Sequence, residues 1–189
     1  MVANVPDAST PPPDADSLYQ AALTYLARYS ATRASLRQVL ERKIARWART
    51  QPDQEAIEPA LAAARAAIPP IIERLVRTGA VNDATFAETR ARGLSRAGKS
   101  SRSIQLRLVA KGVAPNLAHE AAATTPETEL AAALVLLRRR RLGPFRAGEP
   151  DRTRELAILA RAGFSPEIAA RALDLRPDEA DQRILDLRR

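Results

Sequence analysis

The chain has 189 residues, room for one or two compact domains or for several small repeats sharing a core. Its apolar content of 46% is mostly alanine and leucine with only 4% aromatics, which favours packed helices over a sheet. A formal charge of +8, from 27 Arg and 3 Lys against 22 acids, makes a polyanion or a filament carrying one the natural partner class, and zero cysteines exclude disulfides and thiolate metal sites.

Residues 1–16 are polar and proline-rich, with Pro11, Pro12 and Pro13, and read as a disordered leader. They lack the basic and apolar regions of a signal peptide. No apolar run approaches the ~20 residues of a membrane span, so the simplest expectation is a soluble cytoplasmic protein. Asp16 or Ser17 can cap a first helix over 18–29, whose inner face is Leu18, Ala22, Tyr25, Leu26 and Tyr29. A second helix starts at Thr32 or Arg33 with the stripe Leu36, Val39, Leu40, Lys43, Ile44 and Trp47. Its outer face carries Arg33, Arg37, Arg42, Arg46 and Arg49. A third stretch, 56–78, contains Pro69 and Pro70, where a missing donor and a steric clash predict a break or kink. Ile71, Ile72, Leu75 and Val76 are core, and Gly79 is the stop.

The next helix opens at Asn82 or Asp83, holds Phe86 as a buried anchor and ends near Gly98. Ser100 or Ser101 opens a helix with Ile104, Leu108 and Val109 inward and Lys111-Gly112 at its end. Pro115 starts a short helix to 123. A seventh helix runs from 125–127 to about Arg141, followed by a loop over 142–150. Helix eight spans 152–162 and stops at Gly163, Phe164 packs inward, and Pro166 opens helix nine, which closes at Leu173. The tail can form one more helix through Ala180, Ile184, Leu185 and Leu187.

Self-similarity organises these elements. Leu36, Leu40 and Lys43 match Ile104, Leu108 and Lys111 at an offset of 68 residues; Gly112, Val113, Pro115 and Leu117 match Gly163, Phe164, Pro166 and Ile168 at an offset of 51. A three-helix unit of this size cannot bury its own apolar face, so stacking supplies the core. The expected fold is all-α, an elongated array of three tandem three-helix repeats. Its parts are a leader at 1–16, an expanded repeat one at 17–79, repeat two at 80–124, repeat three at 125–175 and a tail at 176–189.

Three segments, 22–43, 80–113 and 159–173, together resemble the RecX family of RecA-modulating proteins, and the likeness extends over roughly residues 18–175. The most specific spacing is Asn82-Asp83, Phe86-Ala87, Arg92, Gly98, Ile104, Leu108 and Lys111-Gly112. The resemblance implies three curved, tandem helical repeats and binding to the RecA recombinase, including its filament on single-stranded DNA. It implies inhibition of strand exchange and ATP hydrolysis, hence regulation of recombination, DNA repair and the SOS response. Repeat one departs from the family pattern by its expansion at 42–67 and its two prolines. Asn82-Asp83 stands where the family has paired aspartates.

Between Arg90 and Lys111 the chain has seven basic residues and no acid. Arg90, Arg92, Arg96, Lys99, Arg102, Arg107 and Lys111 are therefore the first candidate partner surface. Helical spacing groups Arg92 and Arg96 with Lys99, and Arg107 with Lys111. The run Arg138–Arg141 forms a second cluster with Arg146; at most two of the run can face one partner, and Arg138, Arg139 and Arg141 are the candidates taken from it. A plain solvated helix face explains such charges equally well. Trp47, in register with Leu40 and Ile44, is core rather than a base-stacking ring; the tyrosines are packing residues; and the lone His119, matching Ala170, has no catalytic company. No cofactor, metal or catalytic set is expected, and the partners expected are RecA and its filament, with weaker direct nucleic-acid contact, for a monomer outside membranes. The rival is a sequence-specific, helix-turn-helix-like DNA-binding protein reading bases with Arg102, Gln105 and Arg107.

Overall fold

The computed structural model describes residues 11–53 and 55–188. Among them the chain is all-α: ten helices and one 3-10 turn, with no strand. Two compact units divide between Phe86 and Ala87.

In the first unit, α1 is Ala15–Leu26, α2 Arg33–Ala48 and α3 Glu58–Arg77. Most of the expected leader, residues 1–10, lies outside the described residues, and Ala15 and Asp16 already belong to α1. The cap of α1 is Asp14, two residues ahead of Asp16, the earlier of the two expected caps; its Oδ1 accepts from the Ser17 amide at 2.8 Å. That bond holds the Asp14 carboxyl below its ordinary range. Thr32, wholly buried, caps α2 by accepting from the Ser35 amide at 3.0 Å. Leu18, Leu36, Leu40, Ile44, Trp47, Ile68 and Leu75 form one core, so Trp47 is packed as its register demands. Lys43, placed in the inner stripe by spacing, is exposed instead. Tyr19 lies under the Arg74 guanidinium at 4.3 Å, whereas Tyr29, leaning on Tyr25, is 57% exposed.

The expected break at Pro69 and Pro70 does not occur: α3 runs through both. Both rings are exposed, as are Arg65 and Ala66, whose carbonyls lose their helical donors. Water can serve carbonyls on that face, while Leu61, Ala64, Ile68, Ile71, Ile72 and Leu75 bury the opposite one. Packing of that stripe outweighs the local penalty of two prolines.

Helix α4, Asp83–Arg96, begins at the end of the first unit and continues into the second. Phe86 is half-buried rather than a full anchor. The second unit then contains α5 (Ser101–Val109), α6 (Pro115–Ala122), α7 (Pro126–Arg140), α8 (Arg152–Arg161), α9 (Pro166–Asp174) and α10 (Pro177–Arg188). Leu130, Leu134, Leu137, Leu159, Phe164, Ala172, Ala180 and Ile184 make its principal core; the tail helix is thereby packed through Ala180 and Ile184, while Leu185 faces solvent. Ile104 and Leu108 are buried like their offset partners Leu36 and Leu40, but Val109, expected inward, is 40% exposed. The loop after α7 is tied down by Glu155, which is 3% exposed. One carboxylate oxygen accepts from the Gly143 amide at 2.9 Å, and the other meets the Arg146 guanidinium at 3.1 Å. Those bonds compensate the burial of its charge. Among the described residues no helix is long and apolar enough to cross a membrane.

Candidate functional site

Small residues let three elements of the second unit close on one another. Gly98 ends α4 with φ +76, and a Cβ there would stand 2.9 Å from the Leu136 nitrogen and 3.1 Å from the Ala132 oxygen. Only glycine fits both that backbone and that approach to α7. Two residues on, Ser100 is wholly buried. Its hydroxyl caps α5 by accepting from the Ser103 amide at 3.2 Å and donates to the Ala162 carbonyl at 2.7 Å, just past the end of α8. Gly163, φ +91, sits against that hydroxyl; a Cβ there would lie 2.7 Å from Ser100 Oγ. The neighbouring Ser101 donates to Glu129 of α7 from its amide, at 3.1 Å to each carboxylate oxygen, and from its hydroxyl at 2.6 Å.

These contacts enclose a groove of about 580 Å³. Six cations line it: Lys99 and the α5 residues Arg102 and Arg107, Arg139 and Arg140 from the end of α7, and Arg161 from the end of α8. Leu106, Leu136 and Ile158 supply apolar surface between them, and its lining includes no acid. Partial desolvation, followed by the charges of Arg107, Arg139 and Arg140, holds the Lys99 ammonium below the ordinary lysine range. A cation held down by its neighbours in this way gains most when an anion enters among them.

The other residues selected from sequence lie elsewhere. Arg92 and Arg96 line a separate groove of about 190 Å³ with Ser95, Thr124 and Thr128, so they do not join Lys99. Arg90 and Lys111 are exposed and line neither groove; Lys111 is therefore not grouped there with Arg107. Arg138 pairs with Asp181 of α10 at 3.2 Å, and Arg141 is the left-handed C-cap of α7 at φ 55. Of the four consecutive arginines, the two that face the groove are Arg139 and Arg140. Arg161, and Arg140 within the run, are the lining cations that sequence reading did not select. Their signal is indirect: Gly163 closely follows α8, which carries Arg161, and Gly98 packs against α7, which carries Arg140.

The chain is 39% identical over 166 residues to Regulatory protein RecX of Myxococcus xanthus (strain DK1622), an alignment covering 85% of this chain and 86% of that one. The chain belongs to the RecX family. It is also 38% identical over 110 residues to Regulatory protein RecX of Agrobacterium fabrum (strain C58 / ATCC 33970), across 57% of this chain and 59% of that one. Residues 82–121 match the family description "RecX, second three-helix domain", which takes in nearly all of α4 to α6. The crystal structure of RecX from Lactobacillus salivarius is similar with a TM-score of 0.63 over 89% of this chain and 97% of that one; at 23% identity this establishes the shared helical fold. A regulatory role follows from membership in RecX. The RecX domain match contributes Lys99, Arg102 and Arg107 to the groove, and α7 and α8 contribute the rest.

Proposed function

We propose that this RecX protein is a cytoplasmic inhibitor of the RecA recombinase, acting as a monomer on RecA and its single-stranded DNA filament. The observation that carries the reading is the six-cation groove with no acid in its lining. The guanidinium fork of Arg binds phosphate in a bidentate way and keeps its charge at any physiological pH. Arg102, Arg107, Arg139, Arg140 and Arg161 supply five such forks on rigid helix ends, so the groove engages strand phosphates without reading bases. Contact with strand and recombinase together holds neighbouring subunits in place and slows the cycle of ATP hydrolysis and strand exchange. Binding of this kind is salt-sensitive: for about six phosphate contacts, affinity falls roughly a thousandfold between 50 and 200 mM salt. Base reading through α5 is less suited, because Arg102 and Arg107 line the groove while Gln105 does not.

The test is RecA on single-stranded DNA with ATP hydrolysis and strand exchange followed as this protein is added below stoichiometry. Inhibition at low ratios is the expected result; no inhibition at any ratio overturns the reading.

A further inference from the structure

We infer that the groove is a composite site for a phosphodiester strand, assembled by a latch in its floor, and that Ser100 and Gly163 are its positioning residues. The inference rests on the reading of the groove as the strand contact.

The six cations come from three places in the second unit: the α4–α5 turn with α5, the end of α7, and the end of α8. No single helix can present them together. Arg161 precedes Ala162, whose carbonyl receives the Ser100 hydroxyl at 2.7 Å, and Lys99 precedes Ser100 itself. One hydroxyl thus ties the backbone beside Arg161 to the backbone beside Lys99. Gly98, Ala162 and Gly163 themselves line the groove, so the latch and the lining are one surface. Gly163 keeps the latch closed by omission, since any side chain there would meet Ser100 Oγ. Glu129 braces the same turn from α7 through Ser101.

The lining favours a strand over an acidic protein segment. A nucleic-acid strand carries a phosphate at every nucleotide, so six cations with no acid and no aromatic ring meet a charge wherever the strand lies. A protein segment carries carboxylates at only some positions. A strand that binds only the latched form must also stabilise the latch, by linkage.

The experiment measures binding of a labelled thymidine oligonucleotide at several salt concentrations, with circular dichroism for helix content. Gly163→Ala and Ser100→Ala are compared with two controls. Gly79→Ala imposes the same left-handed strain, at φ +74, where a Cβ meets nothing within 4 Å. Ser165→Ala removes an equivalent N-cap, that of α9, away from the groove. Expected is a loss of about tenfold in affinity and a salt slope lower by about one to two for both latch variants, with wild-type slopes in both controls. Ser100→Thr, the residue type that Thr32 supplies at the corresponding position 68 residues earlier, restores the slope. Wild-type slopes in Gly163→Ala and Ser100→Ala overturn the latch. Tighter binding of polyglutamate than of the oligonucleotide overturns the strand as ligand. RecA inhibition by the wild-type protein, measured alongside, shows whether the functional reading survives either failure.

Discussion

Glu129 receives the amide of Ser101 on both carboxylate oxygens, at 3.1 Å each, and the Ser101 hydroxyl at 2.6 Å. The first unit contains the same device: the amide of Arg33, 68 residues before Ser101, donates to Oδ1 of Asp83 at 2.9 Å. In both cases an acid in the first turn of a later helix satisfies the first amide of an earlier one, where the helix dipole also favours negative charge.

Removing the acceptor therefore costs stability. Glu129→Ala is expected to destabilise by about 1–3 kcal/mol, and Asp83→Ala by the lower end of that range because it accepts one bond at an exposed site. Chemical denaturation of each variant measures this; wild-type midpoints would show that water replaces the carboxylates without loss.

Lys99 is expected to titrate below the ordinary lysine range. The chain has only three lysines, so carbon-detected NMR of labelled lysine resolves it readily. Burial is the first cause of the depression and the charges of Arg107, Arg139 and Arg140 follow. Arg140→Ala should raise the value part of the way back, and a bound anion should raise it further. A titration unmoved by Arg140→Ala would mean that the groove cations do not feel one another.

Proline in the interior of α3 carries a penalty that the apolar stripe covers. Pro69→Ala restores a donor for the Arg65 carbonyl, and is expected to stabilise by about 1–2 kcal/mol after allowing for the freer unfolded chain. Thermal unfolding reads the change. A lower midpoint would mean that the ring itself supports the helix.

Arg152 and Asp174 join α8 to the end of α9 through two bonds, at 2.5 and 3.0 Å. The hydrogen bonds from Arg152 lower the Asp174 pKa. A carboxyl depressed in the folded state adds stability above its unfolded value, and that stability is lost as pH falls through the folded value. Asp174→Asn should lower stability at neutral and alkaline pH and leave it unchanged below the folded value, so that the acid limb of the stability–pH curve flattens. An unchanged acid limb would show that the pair contributes nothing measurable, as exposed pairs often do.

Much of the fold could be read from local chemistry. Thr32 and Ser100 mark helix starts because a hydroxyl can accept from an orphan amide, and the pairs Leu36 with Ile104 and Leu40 with Leu108 recur because each unit buries the same face. The rule for proline is local and predicts a break at Pro69 and Pro70, while the isoleucine and leucine stripe that keeps α3 continuous acts through packing. The groove was half legible. Lys99, Arg102 and Arg107 stand close in sequence, and spacing limits how many of Arg138–Arg141 share a side. Which two arginines turn inward, and that Arg161 joins them, depends on the close approach at Gly98 and Gly163, which is a tertiary event. Helical spacing alone groups Arg92 and Arg96 with Lys99, but α4 ends at Arg96, and Lys99 sits in the following turn, against α7.

The most direct measurement is binding to RecA filaments on single-stranded DNA, as a function of salt, for two charge variants. One replaces Arg102, Arg107, Arg139 and Arg140 by alanine; the other replaces Arg92 and Arg96. The groove variant should lose most of its filament affinity and flatten its salt slope by about three to four, whereas the other variant should stay close to wild type. Equal losses in both variants, or a groove variant that binds and inhibits like the wild-type protein, would contradict the account.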